Sequence, residues 1–167
     1  DHVIIQTPYV ICNGYMYDVL QGISDHAKLQ IVLNAVEKGS NPWGCTDYLN
    51  QKKKILETGA DVYELMNDYP VHTKAVLIND RLSVVGSYNL DMRSTYLDTE
   101  LMLVIDSEKL SQQIHKTESD YMEKSKEVLA NGQETEGAKY QGKVLNRKKK
   151  LYYGVLRIII RPLRQLL

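Results

Sequence analysis

The stretch Val71–Glu100, VHTKAVLINDRLSVVGSYNLDMRSTYLDTE, constrains the chain most, because two short apolar runs are bracketed by polar groups that a fold has to gather. Ala75–Ile78 follows His72 and Lys74, and Leu82–Val85 leads into Gly86, Ser87 and Asn89, which predicts two strands joined by a polar turn. Strand alternation puts His72 and Lys74 on one face. Gly86 at the strand end suits either a close backbone approach or a positive φ. The Ser87 hydroxyl and the Asn89 amide then point at an anionic group, and with the imidazole and the ammonium they form a donor set shaped for phosphate.

Displacement at a phosphodiester needs a nucleophile, a proton donor for the leaving oxygen, and cations for the equatorial oxygens of the transition state. His72 can serve as nucleophile or acid, Lys74 as a fixed positive donor, and Ser87 and Asn89 as neutral donors to the same group. One histidine cannot stand on both sides of phosphorus in one step, so a second is required. Histidine pairs at zinc-ligand spacing are missing, so the sequence implies no metal and no cofactor.

His-x-Lys, four residues, Asn79, six residues and Gly-Ser-x-Asn together resemble the signature of the phospholipase D superfamily, and His72, Lys74, Gly86, Ser87 and Asn89 fall on it without gaps. The surrounding NLDMRS and LDTELMLVIDS resemble the cardiolipin synthase branch. So do IIQTPYV at Ile4–Val10 and the Lys52–Gly59 helix leading to VYEL at Val62–Leu65, and the likeness covers roughly Val3–Tyr121. The resemblance implies that Glu100 is the carboxylate that accepts from the histidine ring, fixing its tautomer and stabilising the imidazolium. It also implies two such motifs facing each other, the first histidine becoming phosphorylated and the second acting as acid and then base. His72 would be the second. This chain carries one motif, so the resemblance implies a carboxyl-terminal half of a longer protein, or homodimerisation as in some single-motif relatives. Asn79 departs from the usual aspartate, with Asp80 one residue later. If the position serves a turn, asparagine keeps the shape and the acceptor; if it holds a lysine by charge, Asp80 has to substitute.

Around the motif the pattern is α/β, a mixed β-sheet flanked by helices over residues 1–130. Strands are expected at Val3–Gln6, Leu29–Leu33, Asp61–Met66 and Leu101–Ile105, and helices at Tyr15–Ser24, at Thr46–Thr58 with Gly59 as C-cap, and at Glu108–Leu129. In the last, Leu110, Ile114, Tyr121 and Val128 recur at helical spacing and His115 is expected to face solvent. Thr7-Pro8-Tyr9 would close the first strand at its carboxyl end, where ligands bind in open α/β sheets, and Tyr9 either packs on substrate or fills a loop corner. Trp43 is expected in a loop punctuated by Gly39, Asn41, Pro42 and Gly44, either dipping into lipid or packed on the body. Lys52, Lys53 and Lys54 form a solvated face or meet anionic headgroups. Cys12 and Cys45 are expected to be inert. A chain that begins at Asp1 and enters a strand at once reads as a processed product or a piece of something longer.

The net charge of zero conceals a division. Residues 1–138 hold all 21 acidic residues and 12 basic ones, a balance of −9, while residues 139–167 hold the other 9 basic residues and no acidic one. An acidic body offers little footprint for nucleic acid, which is an unlikely partner on this count. Residues 131–146 read as a linker. Residues 147–167 read as a basic amphipathic helix, with Arg147, Lys148, Lys149 and Lys150 as a cluster and Arg157, Arg161 and Arg164 on one narrow face. It is too short and charged to span a bilayer, and it fits an anionic membrane surface; the alternative is a core or oligomer helix lined with arginines.

The function expected from these features is a phosphatidyltransferase of the cardiolipin synthase type, working through a phosphohistidine, peripheral at the cell membrane. Its partners would be phospholipid substrates, an anionic surface and a second motif-bearing lobe. The alternatives are a phosphodiesterase or nuclease active as a homodimer, and a non-catalytic lipid-binding half.

Overall fold

β1 (His2–Gln6) is the strand on which the sheet is built in a computed structural model that describes residues 1–167. It pairs in parallel with β2 (Lys28–Asn34) on one side, which pairs in parallel with β3 (Asp61–Leu65). On its other side it pairs antiparallel with β4 (Ala75–Ile78), which continues antiparallel through β5 (Leu82–Gly86) to β6 (Met102–Asp106). With β7 (Ser125–Val128) and β8 (Glu134–Glu136) beyond β3, the eight strands run β6-β5-β4-β1-β2-β3-β7-β8. The fold is α/β, with a mixed sheet flanked by helices.

Side-chain alternation splits the sheet into two faces. Val3, Ile5, Leu29, Ile31, Leu33 and Val62 form the main core under α1 (Gly14–Ser24) and α2 (Pro42–Glu57). Ile4, Val32, Tyr63 and Leu77 face the other way, where α4 (Glu108–Glu123) packs Ile114, Tyr121 and Met122. Between β5 and β6 lies the short α3 (Met92–Tyr96). Both cysteines are buried, and burial pushes the Cys12 thiol up to about 12 and the Cys45 thiol up to about 11.

The structure differs from the sequence-based expectation in several places. The second helix starts at Pro42, so Trp43 lies in its first turn: Asn41 Oδ1 accepts from the Trp43 and Gly44 amides at 3.1 and 3.2 Å, and Pro42 stands where no N–H is needed. The helix expected to reach Leu129 ends at Glu123, and Ser125–Val128 pairs antiparallel with the free edge of β3. Ser125 Oγ closes the helix by donating to Tyr121 O at 2.7 Å, and Lys126 Nζ reaches Glu64, a mostly buried carboxylate, at 3.2 Å. Lys52 meets Glu64 at 2.8 Å, so it is tied to the body rather than free for headgroups. Residues 131–146 carry β8, reached through a turn at Gly132 with φ 83°.

The tail differs as well. α5 (Arg147–Ile159) packs on α2, burying Tyr153 and Leu156, with Ile160 following, at a three-to-four spacing. Of the arginines expected to face lipid, Arg157 stays exposed but is tied to α2, its Nε donating to Asn50 Oδ1 at 2.9 Å, and Arg164 turns to the protein, its Nε reaching Asp47 Oδ2 at 2.7 Å. A fully buried aspartate needs a counter-charge more than a surface arginine needs lipid. Arg147, Lys148, Lys149, Lys150 and Arg161 remain exposed, beside exposed Leu151, Val155, Ile158 and Ile159.

Candidate active site

The register brings four strand ends together. Gln6 at the end of β1 pairs with Ala75 at the start of β4, Ala75 pairs with Val85, and Gly86 at the end of β5 pairs with Met102 at the start of β6. His72, Lys74, Ser87, Asn89 and Glu100 all flank these ends, so a linear motif becomes a cluster at one edge of the sheet.

Gly86 is needed for close approach rather than for a positive φ. A Cβ there would come within 2.0 Å of Leu101 O and 2.9 Å of Met102 Cα. That contact sets the next two hydrogen bonds, Ser87 N to Leu101 O and Leu101 N to Ser87 Oγ, both 3.0 Å. Ser87 Oγ in turn donates to Glu100 Oε2.

Lys74 precedes β4, and its carbonyl accepts from Gly86 N at 3.3 Å, which anchors the side chain over the strand ends. Lys74 Nζ donates to His72 Nδ1 at 2.6 Å and to His72 O at 2.9 Å. His72 is exposed, and its pKa is lowered, first by partial desolvation and then by the Lys74 charge. The imidazole is thus held neutral, with Nδ1 accepting and Nε2 carrying the proton. Desolvation lowers the pKa of Lys74 as well, opposed by Glu100 and then Asp91, so both carboxylates act on the ammonium. Glu100 is held by Ser87 and acts on Lys74 through its charge, while Lys74 stands at His72 Nδ1.

Asn89 is fixed by Ser94 Oγ, which accepts from its backbone and side-chain amides at 3.2 and 3.3 Å, and its Oδ1 is buried without a partner. Asp91, which the sequence reading passed over, is almost fully buried. It caps α3 through Ser94 N at 2.6 Å and lies beside the Tyr9 side chain. Burial raises its pKa. The available signal was an aspartate three residues before Ser94, an N-cap pattern. Tyr9, its ring against Gly44, borders a cavity of about 300 Å³ shared with Asn89, Asp91, Leu166 and Leu167.

The remaining motif residues lie elsewhere. Asn79 and Asp80 sit at the far end of β4, a strand's length from Lys74. Asn79 has φ 51° and its Oδ1 accepts from His2 N at 3.0 Å, which is turn chemistry. His115 does not face solvent: its side chain is largely buried and its Nε2 lies 2.9 Å from Asn79 O.

Residues 1–120 match the family model described as cardiolipin synthase, PLD-like domain. The chain belongs to this family. It is 30% identical over 150 residues to cardiolipin synthase A of Proteus mirabilis, a match covering 87% of this chain and 29% of that protein. The chain thus spans under a third of the length of the curated relatives it matches. Among solved structures it is similar to phosphatidylserine synthase of Haemophilus influenzae, with TM-score 0.70 and 16% identity over 100% of this chain and 42% of that one. It is also similar to Nuc of Salmonella typhimurium, a phospholipase D family member, with TM-score 0.62 and 15% identity over 75% of this chain and 80% of that one. These two likenesses concern the fold. No helix is long and apolar enough to cross a membrane.

Proposed function

We propose that this chain supplies one His-Lys half of a phosphatidyl-transfer site of the cardiolipin synthase type, the other half coming from a second motif-bearing lobe. The observation that carries the reading is the Lys74 Nζ to His72 Nδ1 contact of 2.6 Å on an exposed strand-end cluster. An ammonium and a neutral imidazole, with Ser87 and Asn89 alongside, present donors to a phosphoryl group that nothing in this lobe covers. An incomplete site fits the exposed apolar residues beside it, Leu97, Leu101, Leu103 and Val104, on and before the edge strand β6. A facing lobe would bury them and supply the second histidine.

In the transfer step, the partner histidine attacks phosphorus and its P–N bond forms as the P–O bond to the departing alcohol breaks. His72, made an imidazolium by a solvent proton taken up at Nδ1 once Lys74 has turned away, gives that oxygen its Nε2 proton and is left neutral. In the second step His72 takes a proton from the acceptor hydroxyl, whose oxygen displaces the phosphohistidine nitrogen. Lys74 would turn from Nδ1 to the phosphoryl oxygens as substrate enters, so that Nδ1 takes a proton from solvent and donates it to Glu100. Phosphatidylglycerol is the acceptor that the family points to. The exposed part of the tail, Arg147–Lys150 and Arg161 beside Leu151, Val155, Ile158 and Ile159, fits an anionic membrane surface, which would place the site beside its substrates.

Labelled phosphatidylglycerol in mixed micelles tests the half-site. Activity is expected from an assembly of two motif-bearing lobes and from no monomeric form of this chain, with mass followed by light scattering. Turnover by a monomer would overturn the reading, and turnover of DNA but not lipid by a dimer would replace it with a nuclease.

A further inference from the structure

At the end of the sheet away from His72, three side chains from distant parts of the sequence converge: His2 at the start of β1, Asp80 in the turn after β4 and His115 midway along α4. One ligand atom of each lies within 4.8 Å of the other two. His2 Nε2 and His115 Nε2 stand 3.8 and 3.7 Å from Asp80 Oδ1, beyond hydrogen-bond length. The two rings are tilted by 59° with centroids 5.3 Å apart, and no lysine or arginine neutralises Asp80. Two imidazoles and a carboxylate thus surround a common gap without satisfying one another.

We propose that His2, Asp80 and His115 bind a divalent cation of the zinc class. Zinc bonds of about 2.0–2.2 Å place tetrahedral ligand atoms roughly 3.4 Å apart; Asp80 Oδ1 stands within a few tenths of an ångström of that spacing from each imidazole nitrogen, and with all three ligand atoms within 4.8 Å of one another, side-chain rotation closes the site. Two nitrogens and one oxygen favour zinc, cobalt or nickel over magnesium or calcium. A water or the Asn79 carbonyl oxygen, 2.9 Å from His115 Nε2, stands in reach of the fourth position. Binding replaces the proton that Nε2 shares with that carbonyl, and Nδ1 takes up the ring proton instead. The strand start and the turn are already joined by His2 N to Asn79 Oδ1 at 3.0 Å. The ion would therefore pin α4 to them, a structural role at the opposite end of the sheet from the transfer chemistry.

Isothermal titration of zinc into the chelator-treated chain, with cobalt absorption as a second readout, tests the site. The expected result is one ion per chain, a raised Tm with zinc, and affinity lowered at least about tenfold by Asp80→Asn and by His115→Gln, with no change in His26→Gln, whose histidine is exposed between α1 and β2. Asp80 is 79% exposed, so its variant keeps the fold. Absence of saturable binding, equal affinity in Asp80→Asn and His115→Gln, or loss in His26→Gln would overturn the proposal.

Discussion

Arg164 forks onto Asp47, Nε to Oδ2 at 2.7 Å and Nη2 to Oδ1 at 2.9 Å, and the carboxylate that it meets has no exposed surface at all. The pair ties the end of the chain to α2. Arg164→Ala leaves Asp47 buried and unpaired, a loss of about 3 kcal/mol, and Asp47→Asn in the same chain recovers part of it. Urea denaturation of the four forms gives the coupling; a coupling near zero would mean that the tail is not docked by this pair.

Gly86 and Gly154 make opposite predictions. Alanine at 86 drives Cβ into the Leu101 carbonyl, so β5 and β6 must part at the site, at a cost of about 2 kcal/mol or more. Alanine at 154 meets open space inside α5 and stabilises it by up to about 1 kcal/mol. Thermal unfolding of both variants checks the pair.

Glu118 gives the clearest pH signature. It is buried on α4, Oε2 lacks a partner, and desolvation pushes its pKa up from 4.5 to about 7. Below 4.5 folded and unfolded chains both hold the proton and nothing is lost. Between the two values only the folded chain holds it, so stability falls as pH rises, and above about 7 the loss is constant at roughly 3 kcal/mol. Denaturation of Glu118→Gln and the unaltered chain should agree near pH 4 and diverge by pH 8, the variant being the more stable. A difference that is the same at both pH values would contradict burial as the cause.

Lys74→Gln removes the charge that, after desolvation, lowers the His72 pKa. The His72 ring resonances should then titrate at higher pH than in the unaltered chain, read by NMR. No change would place Lys74 away from the ring.

What could be read from the sequence was what is local in it. His72, Lys74, Gly86, Ser87 and Asn89 sit within one hairpin and its exit, so their spacing already encoded their convergence. Asn79 likewise declared a turn. Glu100 reached the cluster but not the histidine, because Ser87 competes for its carboxylate and Lys74 for the ring nitrogen, a contest that spacing does not record. Val128 kept helical spacing with Tyr121, yet Ser125 ended the helix and the open edge of β3 drew the next residues into a strand. The arginines of the tail followed a lipid-facing pattern until Asp47, 117 residues from Arg164, supplied a buried charge to meet. His2 and His115 are invisible as a pair for the same reason.

Phosphatidyl transfer by the proposed two-lobed assembly carrying His72→Ala is the most direct test that this residue performs the chemistry. With the fold intact, loss of the general acid should lower turnover by about a hundredfold or more. A rate close to that of the unaltered enzyme would contradict the role given to His72.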